Sequence, residues 1–216
     1  MRTLLVRHGQ SDSNLPYGPG WSPDGGITAL GRRQAECLAG WLRRRAPIAG
    51  LYTSTLRRAH ETAQIVAAAC HTPSILDHRL REVGACWPDG RPVRPEDFPN
   101  CFPPGSPSTR PTEPAWGASE SWNQFLCRVR SFIEEMLALP QDRQVLVVTH
   151  SGFIEAFSDL AFGAGTPHRA EIASEYSSIT DWEYRPGEPE PWLLHGVNMQ
   201  YHLLADDGSL PANTHL

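Results

Sequence analysis

An α/β fold is predicted, a three-layer α/β/α sandwich around a mostly parallel sheet, and three observations predict it. Short apolar runs alternate with stretches of helical periodicity along the chain. Two of those runs, Leu4-Leu5-Val6 and Val145-Leu146-Val147-Val148, are uninterrupted, as in strands buried on both faces. Both then stop abruptly on polar residues, Arg7-His8-Gly9 and Thr149-His150-Ser151. Two such strands side by side in a parallel sheet would bring His8 and His150 together over one crevice at their C-terminal ends.

Residues 3–6 read as the first strand. Thr28 follows as an N-cap, and Leu30, Gln34, Leu38, Trp41 and Leu42 recur at helical spacing through Arg45. The Arg43-Arg44-Arg45 run suits a helix C-terminus, where cations complement the dipole and stay in water. Gly50-Leu51-Tyr52-Thr53 reads as a second strand, leading into a helix from about Thr55 to Cys70 with Ala59, Ala63, Val66 and Ala67 on its packed face. A short strand near 74–76 precedes Leu80-Arg81-Glu82. Between Pro88 and Pro114 the chain is dense in proline and has no periodicity, so a lid insertion is expected over about 83–118 within one domain spanning 1–216. Its aromatics, Trp87, Phe98, Phe102 and Trp116, favour an ordered flap over a floppy linker. Ser119 or Ser121 restarts a helix to about Leu139; the strand ending at His150, a helix over 152–162 and two late strands over 176–184 and 192–195 complete the pattern.

The 216 residues suffice for a full core between two helical layers, and 40% apolar with 20% charged residues is ordinary for a soluble globular protein. A formal net charge of -5 argues against nucleic acid and anionic membrane surfaces as partners. All 19 cations are arginine, which removes lysine-based Schiff-base or phosphate-loop chemistry. Cys37, Cys70, Cys86, Cys101 and Cys127 are odd in number and lack paired spacing, so neither a disulfide framework nor a zinc knuckle is expected; Cys37, Cys70 and Cys127 fall in helical patterns and read as small core residues. No run approaches a bilayer span or a signal-peptide core, and a cytoplasmic location is expected.

Metal-free phosphoryl transfer requires a nucleophile, several donors for the equatorial oxygens and an acid for the leaving oxygen. His8 can be the nucleophile if one ring nitrogen is free and the other donates to a carbonyl. Arg7 offers a planar fork matched to phosphate, Asn14 an amide N–H, and His150, if cationic, a further charge and donor. Tyr52-Thr53-Ser54-Thr55-Leu56-Arg57-Arg58-Ala59 supplies two candidates for another cation at the start of a helix, where N–H groups favour anions.

Arg7-His8-Gly9-Gln10-Ser11 followed by Asn14, Thr28 to Ala35, Tyr52 to Ala63, Leu80-Arg81-Glu82, Ser119-Glu120-Ser121 with Arg128, Val148-Thr149-His150, and Asn198 before His202-Leu203 together resemble the histidine phosphatase superfamily in its phosphoglycerate mutase-like branch, nearly end to end. The resemblance implies that Arg58, directly before alanine, contacts phosphate and that Glu82 is the proton donor; should Glu82 be a surface carboxylate, Asp77 and Asp89 are the fallbacks. It also implies a metal-independent phosphomonoesterase of histidine acid phosphatase type, acting through a phosphohistidine, with no cofactor and a small-molecule phosphate ester as partner. Ser151 stands where most relatives have glycine and keeps a backbone N–H for phosphate, while Glu155 replaces a frequent arginine and would add negative charge near the pocket. After Glu82 the chain has Val83-Gly84-Ala85-Cys86-Trp87 in place of the arginine-histidine-tyrosine-glycine run of the mutases.

Rival readings are a zinc site, a serine hydrolase, a cofactor-dependent phosphoglycerate mutase and a catalytically inactive phospho-ligand module. The nine histidines show no helical metal spacing, so His60, His71, His78, His168, His195, His202 and His215 read as surface or structural. His150-Ser151-Gly152 lacks the glycine two residues before serine that a nucleophile elbow needs. The inactive module is disfavoured because Arg7, His8, Arg58, Glu82 and His150 all have the required types. The mutase is disfavoured because the lid offers only Arg91, Arg94 and Arg110 to hold a substrate carboxylate.

Overall fold

The computed structural model describes residues 1–16, 21–45, 47–99, 102–167 and 170–204. Cys101, His168 and His215 lie outside the described residues. The first apolar run forms β1 (Arg2–Arg7), and Thr28 caps α1 (Ala29–Leu42) by accepting the Gly31 N–H at 3.1 Å. The helix ends at Leu42, short of Arg45, and Arg45 instead lays its guanidinium 3.7 Å from the Trp41 ring centre. β2 (Gly50–Ser54) leads into α2 (Arg57–Cys70), which terminates on His71 in the left-handed region. β3 (Ser74–Asp77) follows. Ser121, not Ser119, caps α3 (Trp122–Leu137) in a reciprocal capping box with Gln124. β4 (Gln144–Thr149), α4 (Ser151–Phe162), β5 (Ile179–Tyr184) and β6 (Trp192–Met199) complete the order.

The sheet order is β3-β2-β4-β1-β5-β6. The first four are mutually parallel, while β5 runs antiparallel to β1 and β6 to β5. Side chains alternate across each strand, so the apolar runs supply both faces. Leu4, Val6, Leu146 and Val148 pack with Leu38, Ala59, Ala63 and Val66 of α1 and α2. Leu5, Val145 and Val147 point the other way, against Phe125, Phe132, Phe153 and Phe157 of α3 and α4. The fold is therefore α/β with a mostly parallel sheet and helices on both faces.

The cysteine expectation fails in part. Cys37 and Cys127 are exposed and Cys70 is half-buried, whereas Cys86 is the buried thiol. Treating a helical cysteine as apolar misassigns it when its turn faces water. Ala67 is likewise only half-buried.

Among the described residues between Leu80 and Trp122 the backbone is irregular, with single 3₁₀ turns at Pro95–Asp97 and Pro107–Thr109. Arg81, itself buried, donates to the Ala85 and Val93 carbonyls at 2.8 Å each. Among the described residues no helix is long and apolar enough to cross a membrane.

Candidate active site

β1 and β4 are adjacent and parallel in register, with Arg7 opposite Thr149. The helices that follow them, α1 and α4, pack on opposite faces of the sheet, which opens a crevice between the two strand ends. His8 and His150 sit in it with ring centres 5.1 Å apart. The turn after His8 is fixed by backbone contact: a Cβ on Gly31 would lie 2.0 Å from the Gln10 carbonyl oxygen, and one on Gly9 2.5 Å from that of Gly31. Only glycine lets these segments approach so closely.

The Nδ1 of His8 lies 2.7 Å from the Gly9 carbonyl oxygen, which can only accept, so Nδ1 carries the proton. That leaves the Nε2 lone pair available, and it accepts from Nε of Arg58 at 3.1 Å. Burial, then Arg58 and Arg7, push His8 well below the usual histidine range, so the ring is neutral and nucleophilic at neutral pH. His150 is fully buried, and its Nε2 pairs with the Ser54 hydroxyl at 2.8 Å. Burial and the same arginines also hold it well below its ordinary value. The condition that His150 be cationic is therefore not met before an anion arrives, and the positive charge of the floor comes from the arginines.

Arg58 is 7% exposed and donates to the Pro23 carbonyl at 3.1 Å, while its neighbour Arg57 turns to solvent and pairs with Glu61 at 2.7 Å. Arg7 donates to the Ser174 carbonyl at 2.5 Å and lies 4.3 Å from the Tyr176 ring centre. Asn14 accepts from the Ser11 hydroxyl through Oδ1 at 2.6 Å, which leaves its amide N–H groups for the cleft it lines.

Glu82 closes the opposite wall. Its carboxylate accepts from Val83 N–H at 2.9 Å, Gly152 N–H at 3.2 Å and the Ser151 hydroxyl at 3.4 Å. Ser151 thus places its added hydroxyl on Glu82 while lining the same cleft. The fallback acids do not line it: Asp77 pairs with Arg79 at 2.6 Å and Asp89 with Arg91 at 2.6 Å. The cleft of about 270 Å³ brings together Arg7, His8, Asn14, Arg58, Glu82 and Ser151.

A family model, the histidine phosphatase superfamily (branch 1), matches residues 3–196. The chain belongs to that superfamily. Its similarity to a probable phosphoglycerate mutase of Proteus mirabilis is 27% identity over 91% of this chain and 89% of that one. A putative phosphoserine phosphatase of Hydrogenobacter thermophilus is 30% identical over 83% of this chain and 88% of its own. Among solved structures, mycobacterial glucosyl-3-phosphoglycerate phosphatase superposes with a TM-score of 0.65 at 25% identity, covering 91% of this chain and 98% of that one.

Several residues of this histidine phosphatase site escaped the sequence reading. Ser54 meets His150, Thr62 receives the Gly9 N–H at 3.1 Å, and Tyr176 flanks both Arg7 and His8. A polar Ser54 closing the second strand was the one available signal. Arg128, read only as part of a helix start, forms a buried ion pair with Glu120 and donates to the carbonyls of Arg79, Arg81 and Glu82 at 2.7, 2.9 and 3.3 Å. Glu155 does not line the cleft; burial and Asp159 push it up to about 8, so at neutral pH it brings a proton rather than the expected negative charge. Among the other described histidines, His78 and His195 are exposed, and burial pushes His202 down to about 4. Among the described residues no group of three or more His, Cys, Asp or Glu could hold a metal ion.

Proposed function

We propose that this protein is a phosphohydrolase that cleaves a small-molecule phosphomonoester through a phosphohistidine on His8. The observation that carries the reading is the fixed tautomer of His8, whose proton sits on Nδ1 and whose Nε2 lone pair faces Arg58 in a cleft walled by Glu82. An incoming phosphate takes over the Arg58 donor and frees that lone pair. Nε2 attacks phosphorus, the bond to the ester oxygen breaks, and Glu82 transfers its proton to that oxygen. Water then attacks the phosphohistidine, Glu82 removes a proton from it, the P–N bond breaks, and inorganic phosphate leaves. Arg7, Arg58 and Asn14 supply donors to the equatorial oxygens, and the Ser151 and Gly152 end of α4 adds the positive end of a helix dipole; buried His150, held on the Ser54 hydroxyl, does not line the cleft and would back the floor from behind.

Phosphatase and mutase share this floor and differ in what captures the phosphohistidine. Holding a charged glycerate for return transfer requires cations aimed at its carboxylate. Arg91, Arg94 and Arg110 of the proline-rich segment are all exposed and paired, with Asp89, Asp97 and Glu113, at 2.6, 2.8 and 3.1 Å, and none lines the cleft. Water is therefore the favoured acceptor. Rapid quench with a ³²P-labelled substrate tests the mechanism: wild type should accumulate an acid-labile, base-stable adduct that His8→Ala lacks. Normal turnover by His8→Ala would refute it.

A further inference from the structure

We propose that the site selects phosphomonoesters whose organic group is uncharged and aromatic, a specificity that rests on the phosphatase reading above. The floor of the cleft is polar, but its outer wall is an aromatic collar. Phe98, Phe102 and Trp116 all line it, and their ring centres form a triangle with sides of 6.0, 6.3 and 6.4 Å. Rings that line a cleft in this way offer apolar surface against which a further ring can pack.

The collar is built onto the segment that carries the acid. The Trp116 indole N–H donates to the Gly84 carbonyl at 2.8 Å, which satisfies the polar edge of the ring and fixes its orientation in the wall. Gly84 has a φ of +76°, and a Cβ there would come within 2.9 Å of both Ala115 and Trp116. Trp87 packs on Trp116 with ring centres 5.9 Å apart. Thus Val83-Gly84-Ala85-Cys86-Trp87 seats an aromatic wall two residues from Glu82. A leaving oxygen placed at Glu82 puts its organic substituent against that wall.

Charge points the same way. Among the described residues, the cations lining the cleft are Arg7 and Arg58, both at the phosphate end. A carboxylate at the collar would lose hydration without gaining a cationic partner. The cleft, at about 270 Å³, leaves room for a ring beyond the phosphate.

The test measures binding and turnover separately. By calorimetry, benzylphosphonate should bind at least tenfold more tightly than 3-phosphonopropionate or methylphosphonate. Trp116→Ala and Phe102→Ala should each cut the benzyl-to-methyl ratio several-fold; Phe102 is already 36% exposed, so its truncation spares the fold. Equal or tighter binding of the carboxylate, or ratios unmoved in both variants, would overturn the proposal. In turnover, benzyl phosphate should exceed glycerol phosphate and phosphoserine in kcat/KM at least tenfold, since the leaving alcohols differ little in acidity. Phosphate release without that preference would overturn the aromatic selectivity alone. Preferential benzylphosphonate binding without phosphate release from any ester would uphold the selectivity and remove the phosphatase reading.

Discussion

Replacing Arg128 with alanine should both destabilise the protein and impair proton donation, because one buried guanidinium holds the acid-bearing segment. Its side chain is 5% exposed and that of Glu120 is 2% exposed. The guanidinium donates to both oxygens of Glu120 and to three carbonyls between Arg79 and Glu82, while Glu120 also accepts the Gly84 N–H at 3.1 Å. Removing one partner of a buried pair leaves the other charge uncompensated, at about 3–5 kcal/mol. For a chain of this size that corresponds to a Tm lower by roughly 6–20 °C.

The sign of its pH dependence follows from the same geometry. Burial already favours the protonated form of Glu120, and without Arg128 its folded pKa rises further above the unfolded value near 4.5. The folded variant then binds a proton that the unfolded chain has released, so its deficit grows as pH rises above that value and shrinks toward it. Thermal unfolding followed by circular dichroism at pH 5 and pH 8 measures both. Arg128→Met combined with Glu120→Leu should recover part of the lost Tm, since no charge is stranded. A single variant within 2 °C of wild type, or a deficit larger at pH 5 than at pH 8, would refute the reasoning.

Three further outcomes are expected. Glu82→Gln should slow benzyl phosphate hydrolysis by about 10²–10⁴-fold and leave 4-nitrophenyl phosphate much less affected, because an activated phenolate departs without a proton; equal losses would show that Glu82 is not the acid. Stability should peak near pH 6–7. Below 6.5 the buried, neutral His8 and His150, with His202 at about 4, let the unfolded chain bind more protons, costing about 1.4 kcal/mol per histidine per pH unit until each folded pKa is reached, while Glu155, at about 8, acts in the opposite sense above 4.5 and is outweighed below 6.5. A Tm that keeps rising below pH 5 would contradict this. With 3-phosphoglycerate and the bisphosphate primer, isomer exchange should be slower than phosphate release; exchange far faster than release would promote the mutase reading.

The fold and the paired histidines were legible because both are local signals. An apolar run buried on both faces must end where the sheet ends, and Arg7-His8 and Thr149-His150 mark those ends in the chain itself. The α1 and α3 starts were legible for the same reason, since a Thr or Ser three residues before its N–H partner is a short-range pattern. Exposure of Cys37 and Cys127 was not, because apolar periodicity treats a thiol as core whichever way its turn faces. Nor were Ser54 under His150 and Arg128 under Glu82, which meet across 96 and 46 positions and are paired only by the packing of β2, β4 and α3.

The proline-rich segment shows the same division in one place. Its aromatics were visible in the sequence, yet the seating of Trp116 beside the Glu82 segment depends on the Gly84 carbonyl 32 positions earlier. Residue types in that segment gave its aromatic character; contacts between distant residues position those rings. On the reading proposed above, substrate choice therefore resides in long-range contacts laid over a floor that short motifs specify. That separation has a physical consequence: changes at Phe98 or Phe102 should alter the accepted organic group without moving the groups proposed to meet the phosphate. Altering Gly84 cannot, because it adjoins Val83, whose N–H is bonded to Glu82, and a side chain there meets Trp116.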